Sequence, residues 1–213
     1  MRKYALIFIA LFLSSVTSMA QTSTQKLPAP EYTSTKPLNQ LLSERSSSRA
    51  YSKKELSKQD LSNLLWAAFG INRPESGKRT APTAMNWQDI TLYLALETGV
   101  YYYEPQEHAL IKVLDEDVRK ETGSQDFVQE VPVNIVYVSD FDRMGNATSE
   151  QKKMYSAAHT GFIGQNVYLF CTSYGLNTVF RGAIDRDLIH KTLQLKPNQH
   201  VVYCQSVGWP PIK

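Results

Sequence analysis

The feature that most constrains the fold is one long stretch of helical pattern, Thr148–Tyr174, which is closed by Gly175. At a rise of 1.5 Å per residue, a helix of this length runs roughly 40 Å, the length of a small domain. Small residues at Ala157, Gly161 and Gly164 fall close to one face and allow a close neighbour. The stretch therefore predicts either a central core helix or a helix at a subunit contact.

Shorter helices and strands are predicted on both sides of this stretch from apolar periodicity and capping residues. The predicted helices are Leu38 to about Arg45, a helix after the capping residues Ser57 and Asp60 that ends at Gly70, Asp115–Thr122 and Asp185–Leu193. The predicted strands are Ile90–Glu97, Val100–Glu104, Val131–Val138, Leu176–Phe180 and His200–Val207. A polar loop is predicted over 72–84. Because Thr98-Gly99 predicts a hairpin turn, the interleaved elements indicate an α+β fold with antiparallel strand pairs.

The first twenty residues have the features of a secretory signal peptide. Arg2 and Lys3 precede an apolar run, and small residues end at Ala20. We expect cleavage before Gln21 and an exported protein, periplasmic or secreted; the second interpretation is an uncleaved membrane anchor. Residues 21–36 are rich in Thr, Ser and Pro and predict a flexible lead-in, which leaves 37–213 as one domain.

Composition excludes some function classes. Without Arg2 and Lys3, 21 basic residues stand against 20 acidic ones, so the charge gives no indication of a nucleic-acid surface. The two cysteines, Cys171 and Cys204, could form a disulfide in an exported protein. Both lie in apolar runs, however, where buried free thiols are equally expected.

Residue patterns for several kinds of chemistry are missing from the sequence. The four histidines, His108, His159, His190 and His200, are scattered, and none stands at metal-ligand spacing from a Cys or carboxylate. We interpret His159 as a packed or surface histidine. There is no Gly-x-Ser-x-Gly elbow and no Gly-x-Gly-x-x-Gly loop. If the chain is an enzyme, we therefore expect a cofactor to supply its reactivity.

The segment Arg45-Ser46-Ser47-Ser48-Arg49 is a candidate phosphate-binding site. In an extended chain alternate side chains share a face, so Arg45, Ser47 and Arg49 would point the same way. Two forked cations around a hydroxyl are suited to a phosphate. The alternative interpretation is a solvated, serine-rich linker.

Four motifs, in the right order over about residues 38–210, resemble the FMN-dependent nitroreductase family. The first is Arg45, Ser47 and Arg49; the resemblance implies that they hold the FMN phosphate and ribityl chain. The second, Pro82–Asn86 followed by Gln88, is similar to the family's Pro-Ser-x-x-Asn-x-Gln, which implies that Asn86 hydrogen-bonds the flavin.

The other two motifs follow later in the chain. Gly161–Gly175 looks like the family's core helix at the dimer interface. Val179–Gly182 looks like the family's segment after that helix, which implies that the backbone of Arg181 and Gly182 approaches flavin N5 and O4. Within the family, the segments 64–71, 78–82 and 99–103 with His108 resemble the SagB-type dehydrogenase branch. That branch includes enzymes that oxidise azoline rings in modified peptides, but after Ala84 this sequence follows the general nitroreductase motif.

The resemblance implies a nitroreductase-like fold, with a central, mostly antiparallel sheet flanked by helices and a long core helix. It also implies a homodimer with two FMN that transfers hydride through the flavin to or from a small substrate, with no catalytic side chain. Lys78 or Arg79 is the candidate cation near flavin N1 and O2, and NAD(P)H is a candidate electron donor. Neither metal nor nucleic acid is expected as a partner. The alternatives are an azoline-type peptide dehydrogenase, a flavin-binding protein without turnover, and an exported binding module without a cofactor.

Overall fold

The computed structural model describes residues 23–31 and 36–212, so the predicted signal peptide lies outside the described residues. Its helices are α1 (Leu38–Glu44), α2 (Lys58–Phe69), α3 (Ser149–Tyr174) and α4 (Arg186–Thr192). Its strands are β1 (Thr24–Lys26), β2 (Ile71–Arg73), β3 (Lys78–Arg79), β4 (Ile90–Leu96), β5 (Gly99–Glu104), β6 (Ala109–Leu114), β7 (Val133–Asp140), β8 (Asn177–Arg181) and β9 (Gln199–Gly208). None of the described helices is long and apolar enough to cross a membrane.

Seven strands form one sheet in the order β1-β6-β5-β4-β7-β9-β8, and every neighbouring pair is antiparallel. The predicted α+β class with an antiparallel sheet is confirmed, as is the hairpin of β4 and β5, where Leu96 pairs with Gly99. The edge strands of this sheet are β1 and β8. The edge strand β8 ends at Arg181, the first of the two residues whose backbone is predicted to approach the flavin.

Three parts of the sequence-based assignment differ from the structure. β2 and β3 pair within the predicted polar loop 72–84, and β1 lies within the predicted lead-in and pairs with β6, which was not assigned. β1 carries only exposed side chains, so no apolar alternation marks it as a strand. The predicted helix Asp115–Thr122 is wrong, because only a 3₁₀ turn forms at Arg119–Thr122. The Asp117 carboxylate accepts the Arg119 amide at 3.1 Å, a local bond that competes with helix formation.

The long helix α3 has 26 residues and is the predicted core helix. Thr148 and Gln151 form a capping box at its start, and Gly175 ends it in the left-handed conformation with φ 71°. With α2, it covers one face of the sheet and encloses the larger apolar core. α4 covers the opposite face over a second core.

The end of α2 shows a different use of glycine from the one predicted. The Ser57–Asp60 capping box forms as predicted, but Gly70 has φ −71° and is not left-handed. A Cβ on Gly70 would lie 2.6 Å from the Trp66 side chain. Close packing against Trp66 therefore explains the glycine, because its backbone conformation is open to any residue.

The two cysteines are free thiols on different faces of the sheet. Cys171 belongs to the core under α2 and α3, and Cys204 to the core under α4. Burial raises the pKa of both thiols. The structure thus agrees with the interpretation of two buried free thiols.

Candidate functional site

The predicted site residues lie on two opposite flanks of α3. One group surrounds Tyr168, and the other is the loop 82–88 beside His159. Tyr168 and His159 are nine residues apart in this helix, roughly 13 Å along its axis. Nine residues correspond to about two and a half helical turns, so the two side chains point to opposite sides of the helix. The two groups are therefore separated by the width of the helix within one chain.

Tyr168 joins the predicted phosphate-binding segment to the edge strand β8. Its hydroxyl hydrogen-bonds Ser47 Oγ at 2.8 Å and accepts the Phe180 amide at 2.9 Å. The Arg45 guanidinium lies 5.1 Å from the centre of the Tyr168 ring. We call Arg45, Ser47, Tyr168 and Phe180 the Tyr168 cluster. Arg45 and Ser47 therefore both contact Tyr168, which agrees with the prediction that alternation places their side chains on the same face.

Hydrogen bonds to the main chain hold the rest of the segment against β8. The Ser48 amide donates to the Thr178 carbonyl at 2.9 Å, and Asn177 Nδ2 donates to the Ala50 carbonyl at 2.7 Å. Arg49 lies between them and is exposed. Among the described residues, neither Arg45 nor Arg49 forms an ion pair. Both cations are therefore free to bind an anion.

Glycines shape the surface next to the Tyr168 cluster. A Cβ on Gly164 of α3 would lie 2.7 Å from the Phe180 ring, so this glycine allows β8 to pack on α3. A Cβ on Gly182 would meet only the Tyr203 ring, at 3.4 Å. The packing of the protein therefore does not require glycine at position 182.

The Arg181 side chain is buried and bonded within the protein. Its guanidinium donates to the Thr122 carbonyl at 2.8 Å, to Asn134 Oδ1 at 3.0 Å and to Ser206 Oγ at 3.1 Å. Burial lowers the pKa of this guanidinium. Any contact of Arg181 with a ligand would therefore come from its main chain, as the family resemblance implies.

The loop 82–88 has a strained backbone. Met85, Asn86 and Gln88 have φ angles of 50°, 56° and 47°, in the left-handed region that costs energy for side chains other than Gly and Asn. The Gln88 amide donates to Thr83 Oγ1 at 3.0 Å, and Gln88 Nε2 donates to Asn86 Oδ1 at 3.2 Å. These bonds connect the Thr, Asn and Gln of the motif and explain their spacing.

A buried pair, His159 and Asp89, anchors this loop to α3. The Ala84 amide donates to His159 Nε2 at 2.8 Å, and His159 Nδ1 lies 2.6 Å from Asp89 Oδ1. Because an amide can only donate, Nε2 must be unprotonated, and the ring proton lies on Nδ1 and is donated to Asp89. Ser139 donates to the other Asp89 oxygen at 2.8 Å. His159 is therefore the packed histidine of the two interpretations, with a defined role in the loop.

Gln88 also connects the loop to two arginines. Arg79 Nε donates to Gln88 Oε1 at 2.9 Å, and Arg143 donates to the Gln88 carbonyl at 2.9 Å. Arg79 packs over Phe69, with 4.4 Å between its Cζ atom and the ring centre. Burial, and then the charge of Arg143, lower the pKa of Arg79 to about 10. Arg79 therefore lies on the loop side of α3, away from the Tyr168 cluster.

Sequence reasoning missed four of these residues: Tyr168, Asp89, Arg143 and Ser139. Tyr168 lies within the long helix α3, where an aromatic residue is ordinary and carries no sign of a functional role. Asp89 gave a usable signal, because it directly precedes the buried strand β4 and is itself fully buried. A carboxylate directly before a buried strand needs a hydrogen-bond donor, and His159 is one of four histidines that could donate.

Known proteins with similar sequences and structures identify the family of this chain. The nitroreductase family model matches residues 42–209. A nitroreductase-type protein of Methanocaldococcus jannaschii is 31% identical over 169 residues, covering 75% of this chain and 85% of its own length. A nitroreductase-type crystal structure from Ralstonia eutropha has TM-score 0.85 and 36% identity, and covers 89% of this chain and 90% of that one.

A more distant structural neighbour is the Escherichia coli microcin synthetase complex, with TM-score 0.67 and 19% identity over 100% of this chain and 85% of that one. At that identity the likeness extends to the fold alone. The family model, by contrast, spans the Tyr168 cluster, the loop 82–88 and the whole of α3. This chain therefore belongs to the nitroreductase family of oxidoreductases.

Proposed function

We propose that the protein is an exported, FMN-dependent oxidoreductase that works as a homodimer. Its flavin would lie between the Tyr168 cluster of one protomer and the loop 82–88 of the other. The observation that carries the proposal is the separation of the predicted flavin-binding residues onto two flanks of α3. Export is inferred from the sequence of residues 1–20 alone.

The Tyr168 cluster and the neighbouring Arg49 have suitable chemistry for the phosphate end of FMN. Arg45 and Arg49 are cations without a carboxylate partner among the described residues, and Ser47 adds a hydroxyl held by Tyr168. Charge-assisted bonds from guanidinium groups are the strong phosphate contacts in proteins. Arg45 is partly held over the Tyr168 ring, so less side-chain freedom is lost when an anion binds.

The surface near Gly182 is suited to the flat ring of a flavin. Packing within the protomer does not require this glycine, so a ligand that approaches the main chain closely would explain it. Phe180 and Tyr203, whose ring centres are 4.8 Å apart, form the aromatic surface beside it. When bound, the flavin would carry the hydride, so no nucleophilic side chain is needed.

The loop 82–88 would complete the site from the partner subunit. Asn86 is exposed, and its amide can both donate and accept at a ring edge. Its left-handed backbone is set by the bonds of Thr83, Gln88 and His159, so its orientation is fixed before a ligand binds. Preorganised polar groups of this kind bind a ring at low entropic cost.

Apolar side chains on the outer faces of α1 and α3 support the homodimer. Leu38 and Leu42 of α1 are 61% and 52% exposed, and Met154 and Phe162 of α3 are 58% and 49% exposed. Large exposed apolar residues of this kind are candidates for burial at a subunit interface. A Cβ on Gly161 of α3 would meet no described atom within 4 Å outside the adjacent helix backbone, so the space beside this glycine is open.

Subunit mixing tests the shared site. The double variant Arg45→Ala, Arg49→Ala should lose FMN affinity, and so should Asn86→Asp, which keeps a left-handed residue but adds a charge and removes a donor. If the site is shared, mixed dimers contain one intact site, and an equal mixture should recover about a quarter of the wild-type FMN content. If both groups served the same site within one chain, mixing would restore nothing.

A visible spectrum of the purified mature protein tests the cofactor directly. Flavin absorption that persists through desalting is the expected result. A protein that takes up no FMN would support the alternative of an exported binding module. A flavin-loaded protein that reacts with neither NADH, viologen, quinones nor nitroaromatics would be a binding protein without turnover. The SagB-type branch and azoline oxidation stay predictions from sequence.

A further inference from the structure

A pocket of about 230 Å³ lies between the start of β4 and the end of β5. Tyr102 and Pro105, which are half-buried, form its accessible apolar side, whereas the lining residues Phe69, Ile90 and Leu92 are almost fully buried. Two guanidinium groups, Arg79 and Arg143, also line it. This volume is below the usual range for drug-sized ligands, so the pocket is suited to a small molecule.

Gln88 holds both arginines in place. Arg79 Nε donates to its side-chain oxygen and Arg143 donates to its carbonyl, each at 2.9 Å. Within the described part of the chain, the terminal nitrogens of Arg79 donate to no other residue. The pocket thus contains a fixed guanidinium whose fork remains available for an acceptor.

The charges that face the pocket sum to one positive charge. Glu104 is the only acidic residue among those that line it, against Arg79 and Arg143. Its carboxylate is partly engaged, since it accepts the Gln106 amide at 3.1 Å. Arg143 also has a long ion pair with Asp140, at 3.7 Å, but Asp140 does not line the pocket. A ligand with a single negative charge would balance the pocket, whereas a phosphate dianion would overcompensate it.

We propose that this pocket binds a small aromatic carboxylic acid, with the carboxylate between Arg79 and Arg143 and the ring against Tyr102 and Pro105. A carboxylate matches the planar fork of a guanidinium in two parallel hydrogen bonds. Tyr102 and Pro105 give a ring an apolar contact that an inorganic ion would lack. All of these residues belong to one protomer, so acid binding here needs no flavin and does not depend on the proposed function.

The electrostatics of the empty pocket favour an anion. Burial and the charge of Arg143 both lower the pKa of Arg79, so its charged form is destabilised where it lies. A bound carboxylate would offset both effects. Arg79 bonds Gln88, which belongs to the loop 82–88, so the acid would lie one side chain away from that loop.

Calorimetric titration with benzoate tests the site, with benzamide as the neutral analogue and inorganic phosphate as the competing anion. Benzoate should bind wild-type protein at least roughly tenfold more tightly than benzamide, because the charge-assisted bonds are lost with the amide. Arg143→Gln and Arg79→Gln should each weaken benzoate binding by roughly tenfold or more. Arg186→Gln is the matched control, because Arg186 also donates to a carbonyl, that of Val202, but lies outside this pocket. It should leave benzoate affinity unchanged.

Glu104→Gln guards against a loss that only reflects misfolding. It removes the one acid in the lining and keeps an acceptor for the Gln106 amide, so benzoate affinity should rise several-fold. Equal binding of benzoate and benzamide, or phosphate binding that is tighter than benzoate binding, would overturn the proposal. So would full benzoate affinity in Arg143→Gln, or no gain in Glu104→Gln.

Discussion

The buried pair of His159 and Asp89 leads to a quantitative prediction for the loop 82–88. His159→Phe keeps a ring in the same space but removes both nitrogen atoms. The Ala84 amide, which is partly buried, then loses its acceptor at a cost of about 1–2 kcal/mol. Asp89 loses a charge-assisted bond worth about 1.5–3 kcal/mol and keeps only Ser139.

Together these losses should destabilise the protein by about 3–5 kcal/mol in urea unfolding at fixed protein concentration. Thr160→Val is the matched control, because Thr160 is also fully buried on α3, but its hydroxyl bonds only the Ser156 carbonyl of the same helix. It should cost about 1 kcal/mol. Asp89→Asn in the His159→Phe background should recover part of the loss, since the uncompensated charge is then gone.

Flavin binding gives a second measurement on the same variants. If the pair sets the strained backbone of Met85 and Asn86, His159→Phe should weaken FMN binding, and Thr160→Val should not. The reasoning is refuted if the two variants are destabilised by similar amounts, or if Asp89→Asn adds its full cost on top of His159→Phe. Either result would mean that the loop is held by its own internal bonds.

Two further predictions follow from packing and from titration. Gly164→Ala should destabilise the protein by about 1–3 kcal/mol, because its Cβ would overlap the Phe180 ring. Gly161→Ala should stabilise the isolated protomer by about 0.5–1 kcal/mol, because its Cβ meets open space. Thermal unfolding of both variants measures these effects, and equal effects would contradict the prediction. His108 is bonded to Tyr103 and Ser62, and burial lowers its pKa below the ordinary 6.5, so the unfolded chain binds more protons near that pH. The free energy of unfolding should therefore fall as the pH drops from above 6.5 through the folded pKa of His108. The variant His108→Asn should reduce that fall, and Asn tolerates the left-handed backbone at this position. If urea unfolding between pH 8 and pH 5 gave the same pH dependence for both proteins, His108 would not be the group responsible.

Sequence predicted the elements that carry a strong local signal. α3 was assigned because its helical pattern is long and Gly175 marks its end. The β4–β5 hairpin was assigned because Thr98-Gly99 marks its turn. β1 was missed for the opposite reason. Its three residues are polar and exposed, and only main-chain bonds to β6 hold them in the sheet.

The site could be predicted as a set of residues but not as an arrangement. Alternation placed Arg45 and Ser47 on one side, and the motif identified Asn86. Nothing local indicates that these residues lie on opposite flanks of α3, because that depends on which helix faces meet β8 and the loop 82–88. The burial and hydrogen bonding of the Arg181 side chain could not be predicted either, because its partners Thr122 and Asn134 are distant in sequence.

The Tyr168 cluster also closes an edge of the sheet. β8 is an edge strand, and an open edge can pair with another chain and start aggregation. Its outward-facing Thr178 carbonyl accepts the Ser48 amide, and its outward-facing Phe180 amide donates to Tyr168. The same segment that presents the two arginines therefore blocks strand addition at β8. Damage to this segment would affect solubility as well as ligand binding, so a poorly soluble variant here would report a newly opened sheet edge.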